Sequence, residues 1–157
     1  MKKNKFFILL IVTVTLFGCT KTDNVPPAPA TQSQWTVDGK TYFGDTTYYD
    51  SSSKSGQYFK SYDADSNIIY IYFSAIPTVN RNYTPISLIA GLNTTYCYFI
   101  SSRYNNNSNV TYESLGTGGT VSATILNGKV YVSFSNVIML NNLSGVITTI
   151  SGELIQQ

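Results

Sequence analysis

The dipeptide Asn127-Gly128 lies between two stretches of alternating apolar and polar residues, and it constrains the fold more narrowly than any other feature. Asn-Gly is typical of a two-residue hairpin turn, because both positions of a type I′ turn take positive φ. The turn pairs Leu126 with Lys129 and thereby determines the register on both sides. The pairs that then share one apolar face are Ile125 with Val130, Ala123 with Val132, and Val121 with Phe134. The sequence therefore predicts an antiparallel hairpin with one buried face.

A second turn of the same kind is predicted at Asp38-Gly39. It pairs Val37 with Lys40 and places Trp35 opposite Tyr42, an aromatic cross-strand contact.

The C-terminal stretch from Val146 is expected to fold back on the strand before it. With Leu140 opposite Val146, Phe134 lies across from Gly152, where its ring covers the bare backbone.

Further short β-prone runs follow one another in the middle of the chain, separated by Ser, Asn, Asp, Gly and Pro. These runs are Thr46–Tyr49, Gln57–Tyr62, Ile68–Ile76, Pro85–Ala90 and Thr95–Ser101. No long helical periodicity appears after residue 19. The pattern predicts an all-β fold, namely a single antiparallel β-sandwich or closed barrel of about ten short strands.

The N-terminus has the architecture of a signal peptide. Three lysines precede an apolar run at residues 6–17, which is shorter than the roughly 20 residues of a membrane-spanning helix. The run ends in Leu16-Phe17-Gly18-Cys19, which resembles the box cut by the lipoprotein signal peptidase. The resemblance implies that Leu16 fills the apolar position, Phe17 a tolerant one, Gly18 the small position before the cut, and that Cys19 carries a diacylglyceryl thioether. The alternative is that Cys19 is an incidental thiol in an ordinary signal peptide or an uncleaved anchor.

These features divide the chain into three parts: a cleaved signal peptide at 1–18, a lipidated cysteine with a Pro-rich flexible tether at 19–34, and a β domain at 35–157. Removal of 18 of the 157 residues leaves 139. Three of the ten basic side chains are lost with the signal peptide, so the mature chain has seven basic and eight acidic side chains. The mature chain is therefore near neutral. It has no basic cluster, which argues against a nucleic-acid partner.

The lipobox, the Pro-rich tether, the entry hairpin Trp-x-Val-Asp-Gly-Lys-x-Tyr and the terminal Ser-Gly-Glu-Leu strand together resemble small outer-membrane lipoproteins of the Bacteroidota, families of mostly unknown function. The resemblance implies a lipid anchor in the cell outer membrane and carries no active site. Surface lipoproteins of that group have an acid-rich stretch after the cysteine. Here Asp23 is the one acid at 20–24, which favours the periplasmic face and leaves the surface face open.

Catalytic residue combinations are scarce. The chain has no histidine, which removes Ser-His and Cys-His pairs and His-ligated metal sites. If Cys19 carries lipid, it cannot form a disulfide with Cys97. Cys97 lies on the same strand face as Phe99, so it is predicted to be a small buried hydrophobic residue. Glu113 and Glu153 are the two acids within strand-like runs and the remaining candidates for a carboxylate pair. No cofactor is expected.

Asp63, Asp65 and Asn67 place oxygen ligands at alternate positions, as at the start of a calcium loop. The rest of that pattern is missing, because Ile68 replaces the glycine and Ser74 the final glutamate. A polar turn is favoured, with a metal site as the alternative.

Aromatic residues are the remaining candidates for a binding site. The chain has thirteen tyrosines and one tryptophan. Rings among Asn, Ser and Thr bind sugars or proteins, although tyrosine is also a good strand former. The candidate ligand-binding residues are Trp35, Tyr70, Tyr72, Tyr96 and Tyr98.

The expected function is that of a lipid-anchored, non-enzymatic binding module of the cell envelope, attached to the membrane through Cys19 and recognising a glycan or a protein. The alternatives are a small-ligand or lipid carrier with a lipocalin-like barrel and, more remotely, a carboxylate-dependent hydrolase.

Overall fold

The computed structural model describes residues 31–49, 57–87, 91, 93–105 and 108–157. The predicted signal peptide and lipobox, with Leu16, Phe17, Gly18 and Cys19, lie outside the described residues, as does most of the predicted tether. In the described part, no helix is long and apolar enough to cross a bilayer. The strands are β1 (Ser33–Val37), β2 (Lys40–Tyr49), β3 (Gln57–Tyr62), β4 (Ile68–Phe73), β5 (Arg81–Pro85), β6 (Tyr96–Asn105), β7 (Ser108–Ser114), β8 (Thr120–Leu126), β9 (Lys129–Asn141) and β10 (Ile147–Ile155).

The ten strands form one sheet that closes in a ring, so the predicted all-β fold of about ten short strands is confirmed. The strands β1, β2, β3, β4 and β6 follow one another, and β9 and β10 close the ring onto β1. Two routes connect β6 to β9: β7 pairs with both at one end, whereas β5 and β8 bridge them at the other. The sheet is mixed and not entirely antiparallel, because β5 runs parallel to β6.

Both predicted hairpins are confirmed in their register. Asp38 and Gly39 have φ of 53° and 71°, and they join Val37 to Lys40 as expected. Asn127 and Gly128 have φ of 53° and 77°. All the predicted pairs between β8 and β9 are present. Turn chemistry and hydrophobic alternation therefore determine the same register independently.

The β9–β10 pairing contains a bulge that the sequence analysis did not predict. Phe134 lies opposite Gly152 as expected, but Leu140 pairs with Ile147 and not with Val146. Between these pairs, two residues of β9 oppose one residue of β10, and the second of the two, Asn136, has a φ of 54°. The predicted register was wrong by one residue beyond this point because a bulge adds one residue to one strand.

Two further strands differ from the sequence prediction. β5 ends at Pro85, where the predicted run began, since proline lacks the N–H that a ladder needs and is tolerated at a strand end. β7 is predicted only as an unbounded strand-like run around Glu113. Its inward residues Val110 and Tyr112 alternate with polar ones, and so short a pattern is a weak signal.

Side chains fill the interior of the ring. Trp35 is 1% exposed and stacks on Tyr42 with 5.5 Å between ring centroids. Phe99 of β6 meets Phe134 of β9 at 5.1 Å, a contact between strands that do not pair. Gly152 lies between these two aromatic groups in the ladder, and a Cβ there would overlap the backbone of Gln34 and Trp35. Inward residues from opposite walls therefore pack against one another.

Candidate functional site

The outer face of β3, β4 and β6 carries four tyrosines linked by ring contacts, which we call the tyrosine cluster: Tyr58, Tyr70, Tyr72 and Tyr98. Tyr98 is buried at 6% exposure, whereas the other three are partly exposed. Cross-strand pairing brings them together, since Tyr72 lies opposite Tyr58 on one side and Tyr98 on the other. The rings of Tyr72 and Tyr98 are parallel at 4.3 Å, and Tyr58 lies 5.1 Å from Tyr72 and 5.5 Å from Tyr70. Contacts of this kind hold the rings in fixed orientations.

The phenol groups of Tyr72 and Tyr98 are partly removed from solvent, and this changes their pKa values. Burial, followed by the neighbouring phenols, raises the pKa of Tyr72 to about 12. Burial and then Glu113 raise the pKa of Tyr98. Lys60 supplies a positive charge at the edge of the cluster, with its ammonium 5.9 Å from the centre of the Tyr70 ring. The surface thus combines aromatic area with one cation.

The other predicted aromatic residues are placed differently. Trp35 is buried beneath Tyr42, so it is a core residue and does not belong to a surface site with the tyrosines. Trp35 is buried because it shares the inward face of β1 with Ser33 and Val37. Tyr96 is half-buried, two residues before Tyr98 on the same face of β6 and opposite Thr84 of β5.

A shallow groove of about 300 Å³ continues the outer face beyond Lys60. Lys60 lies 5.5 Å from the ring of Tyr62, which faces the groove. Its walls include Gln32, Phe43, Gly44, Asp45, Tyr62 and Asp63. The alternation pattern does not predict this groove, because its residues come from β2, from β3, from the turn after β3 and from Gln32, which precedes β1.

The Asp63–Asn67 segment forms a polar turn between β3 and β4. One carboxylate oxygen of Asp63 accepts the backbone N–H groups of Asp65 and Asn67 at 2.9 and 2.8 Å, and the other accepts Asn67 Nδ2 at 2.7 Å. The Asn67 side chain is buried, and its Oδ1 accepts the N–H of Tyr104 at 3.0 Å. These bonds occupy the side-chain oxygens of Asp63 and Asn67, two of the three residues predicted as metal ligands. Over the described residues no cluster of three or more potential metal ligands of the His, Cys, Asp or Glu type occurs.

A second polar cluster lies at the end of the ring near the Asp38-Gly39 turn. Arg103 shares its inward face with Cys97 and Phe99, and its Nη2 lies 3.7 Å from Asp38 Oδ2. Tyr112 donates its hydroxyl to the same oxygen at 3.5 Å, and Arg103 also lies over the Tyr112 ring. The parity of Arg103 in β6 is a signal from which its inward position could have been predicted.

The two strand-borne carboxylates are far apart. Glu113 lies opposite Leu140, which lies opposite Ile147, whereas Glu153 is six residues further along β10. At about 3.3 Å per residue this separation is about 20 Å, beyond the roughly 10 Å limit for a glycosidase pair. Each also has its own partner, Asn142 for Glu113 and Gln34 for Glu153.

Cys97 is fully buried, and burial raises the pKa of its thiol. It therefore packs as a small apolar side chain, as predicted.

Comparison of the chain with protein-family models, with curated proteins and with solved structures gives no match.

Proposed function

We propose that this chain is a lipid-anchored, non-enzymatic binding module of the cell envelope, held at the outer membrane through Cys19 and recognising its ligand through the tyrosine cluster. The single observation that carries the proposal is the position of the cluster. Tyr58, Tyr70 and Tyr72 are partly exposed and contact one another on the outer face of the sheet, and Tyr72 also stacks on the buried Tyr98.

The cluster is suited to binding because its rings are already ordered. Tyr72 has ring contacts with Tyr58, Tyr70 and Tyr98, so little side-chain entropy is lost when a ligand settles on it. Tyrosine adds apolar area and a hydroxyl in the same residue. Lys60 adds a cation whose stem covers apolar surface.

The packing of the interior favours a binding module over the alternative of a carrier. A carrier holds its ligand in a cavity lined by apolar side chains. Here Phe99 and Phe134 meet across the ring, and Trp35 and Tyr42 stack within it. The distance between Glu113 and Glu153 likewise favours binding over hydrolysis.

The test is cross-linking in intact cells, followed by purification of the full-length lipoprotein and quantification of what is attached to it. Tyr70→Ala is expected to reduce the dominant cross-linked product at least fivefold, because it removes one ring of the cluster. Tyr104→Ala, which removes a tyrosine that is exposed outside the cluster, is expected to leave the product unchanged. Equal products from Tyr70→Ala and wild type, with equal thermal stability, would overturn the proposal.

A further inference from the structure

The groove next to the tyrosine cluster combines exposed aromatic rings with carboxylates. Phe43 of β2 and Tyr62 of the neighbouring β3 are 54% and 46% exposed. Asp45 lies directly opposite Tyr62 in the β2–β3 ladder, and Phe43 is two residues before Asp45 on the same face. The aromatic and acidic groups therefore alternate along one surface.

Gly44 lines the groove at a point where β2 and β3 approach closely. A Cβ at this position would overlap the backbone carbonyl of Tyr62. The absence of a side chain lets β2 and β3 lie close together, with Phe43 and Asp45 directed to the outer face on either side of the glycine.

The chemistry of the groove matches a neutral sugar. One face of a pyranose ring presents C–H groups with partial positive charge, which are attracted to the negative face of an aromatic ring. Its hydroxyls donate hydrogen bonds to carboxylate and amide oxygens, here on Asp45 and Gln32. Asp45 is held from the side by Gln157 Nε2 at 3.3 Å, which orients its carboxylate.

Other ligand classes fit less well. An acidic ligand would meet two carboxylates, and an apolar peptide would bury them without hydrogen-bond partners, which is costly. A basic peptide would meet the Lys60 ammonium beside Tyr62. A volume of about 300 Å³ is at the lower end of small-molecule sites, so it accommodates a small part of a glycan chain.

We propose that this groove is a carbohydrate subsite that binds a pyranose residue of a neutral glycan, with Phe43 and Tyr62 as the stacking rings and Asp45 as the hydroxyl acceptor. The inference rests on the proposed binding function and gives it a ligand class. Lys60 contacts both Tyr62 and Tyr70, so a longer glycan would extend from the groove onto the tyrosine cluster.

The test is calorimetric titration of the full-length protein in detergent micelles with hexasaccharides of β-1,4-glucose and β-1,4-mannose, and with a hexalysine peptide. At least one hexasaccharide is expected to bind. Phe43→Ala and Asp45→Asn should each weaken its binding at least tenfold. Leu143→Ala removes an exposed apolar side chain outside the groove and should leave the affinity unchanged.

Failure of both hexasaccharides to bind, binding that is unaffected by the groove variants, or tighter binding of hexalysine would each overturn the inference. Thermal unfolding of every variant separates loss of binding from loss of fold. If Tyr70→Ala still abolishes the cross-linked product in cells while no sugar binds, the proposed binding function stands and the carbohydrate assignment falls.

Discussion

Tyr72 shows how the neighbours of a single residue determine its chemistry. It is a half-buried strand residue whose ring is in contact with three other tyrosines. Burial disfavours the phenolate, and negative charge on a neighbouring phenol disfavours it further, so its pKa rises from about 10 to about 12.

This elevated pKa predicts a loss of stability in alkali. Between pH 10 and 12 the unfolded chain loses the Tyr72 proton while the folded protein keeps it, so the free energy of unfolding falls as pH rises through this window. Below pH 10 the phenol is neutral in both states and contributes nothing. We expect Tyr72→Phe to lessen the fall by about 1–2 kcal/mol, a value reduced for partial solvent exposure. Urea unfolding at pH 9, 10, 11 and 12 measures it.

Tyr104→Phe is the matched control for this series. It removes an exposed phenol outside the cluster and should retain the wild-type pH profile. A Tyr72→Phe profile that is superimposable on that of wild type would contradict the prediction.

At the scale of the element, the bulge in β9 determines how the ring closes. It divides the β9–β10 ladder into two registers, and each keeps its apolar residues inward. Phe134 and Val137 are both buried although they are three positions apart, whereas the two residues between them, Ser135 and Asn136, are exposed. Gly119 packs so closely on the bulge that a Cβ would overlap the backbone there. The bulge thus restores the inward face that simple alternation would lose.

The bulge depends on the left-handed conformation of Asn136, whose N–H donates to Ser151 Oγ at 2.9 Å. We expect Asn136→Val to lower the free energy of unfolding by about 1–2 kcal/mol, because a β-branched side chain is strained at positive φ. Asn136→Gly should change it by no more than about 0.5 kcal/mol, since glycine adopts this φ readily. Chemical denaturation of both variants provides the measurement. A loss for glycine as large as that for valine would show that the side chain, and not the backbone conformation, matters at this position.

At the scale of the whole molecule, the two cysteines have different expected roles, one in the proposed anchor and one in the β domain. Cys97 is buried in the sheet, where its thiol is protected from solvent. Cys19 is the proposed site of lipid attachment, and more than one acyl chain is enough for stable anchoring. The two residues therefore provide a matched pair of variants.

We expect Cys19→Ser to move the protein from the membrane fraction to the soluble fraction, because it removes the atom that carries the lipid. Cys97→Ala should leave the protein in the membrane fraction. In the wild-type mature protein a thiol reagent should detect one thiol, and only after unfolding. Cell fractionation and thiol titration test both points. Retention of Cys19→Ser in the membrane fraction would contradict the assignment of the anchor.

The parts of the fold that could be predicted are those determined by nearby residues. The Asp38-Gly39 and Asn127-Gly128 turns demand positive φ and join strands only two residues apart, so their registers follow from local chemistry. Alternation over Ile68–Phe73 likewise places Tyr70 and Tyr72 on the outer face. Trp35 shows the limit of this reasoning, because its aromatic ring suggests a binding residue whereas its parity in β1 directs it into the core.

The sequence by itself thus determined the class of fold, two hairpin registers, the polar turn at Asp63–Asn67 and the faces on which most strand residues lie, because each follows from the conformational preferences of adjacent residues. Tertiary structure alone decided the closure of the ring, the parallel pairing of β5 with β6, the inward contact of Arg103 with Asp38, and the groove that joins Phe43 to Tyr62. These arise from strands distant in the chain, and their pairing depends on how the whole sheet buries its apolar face.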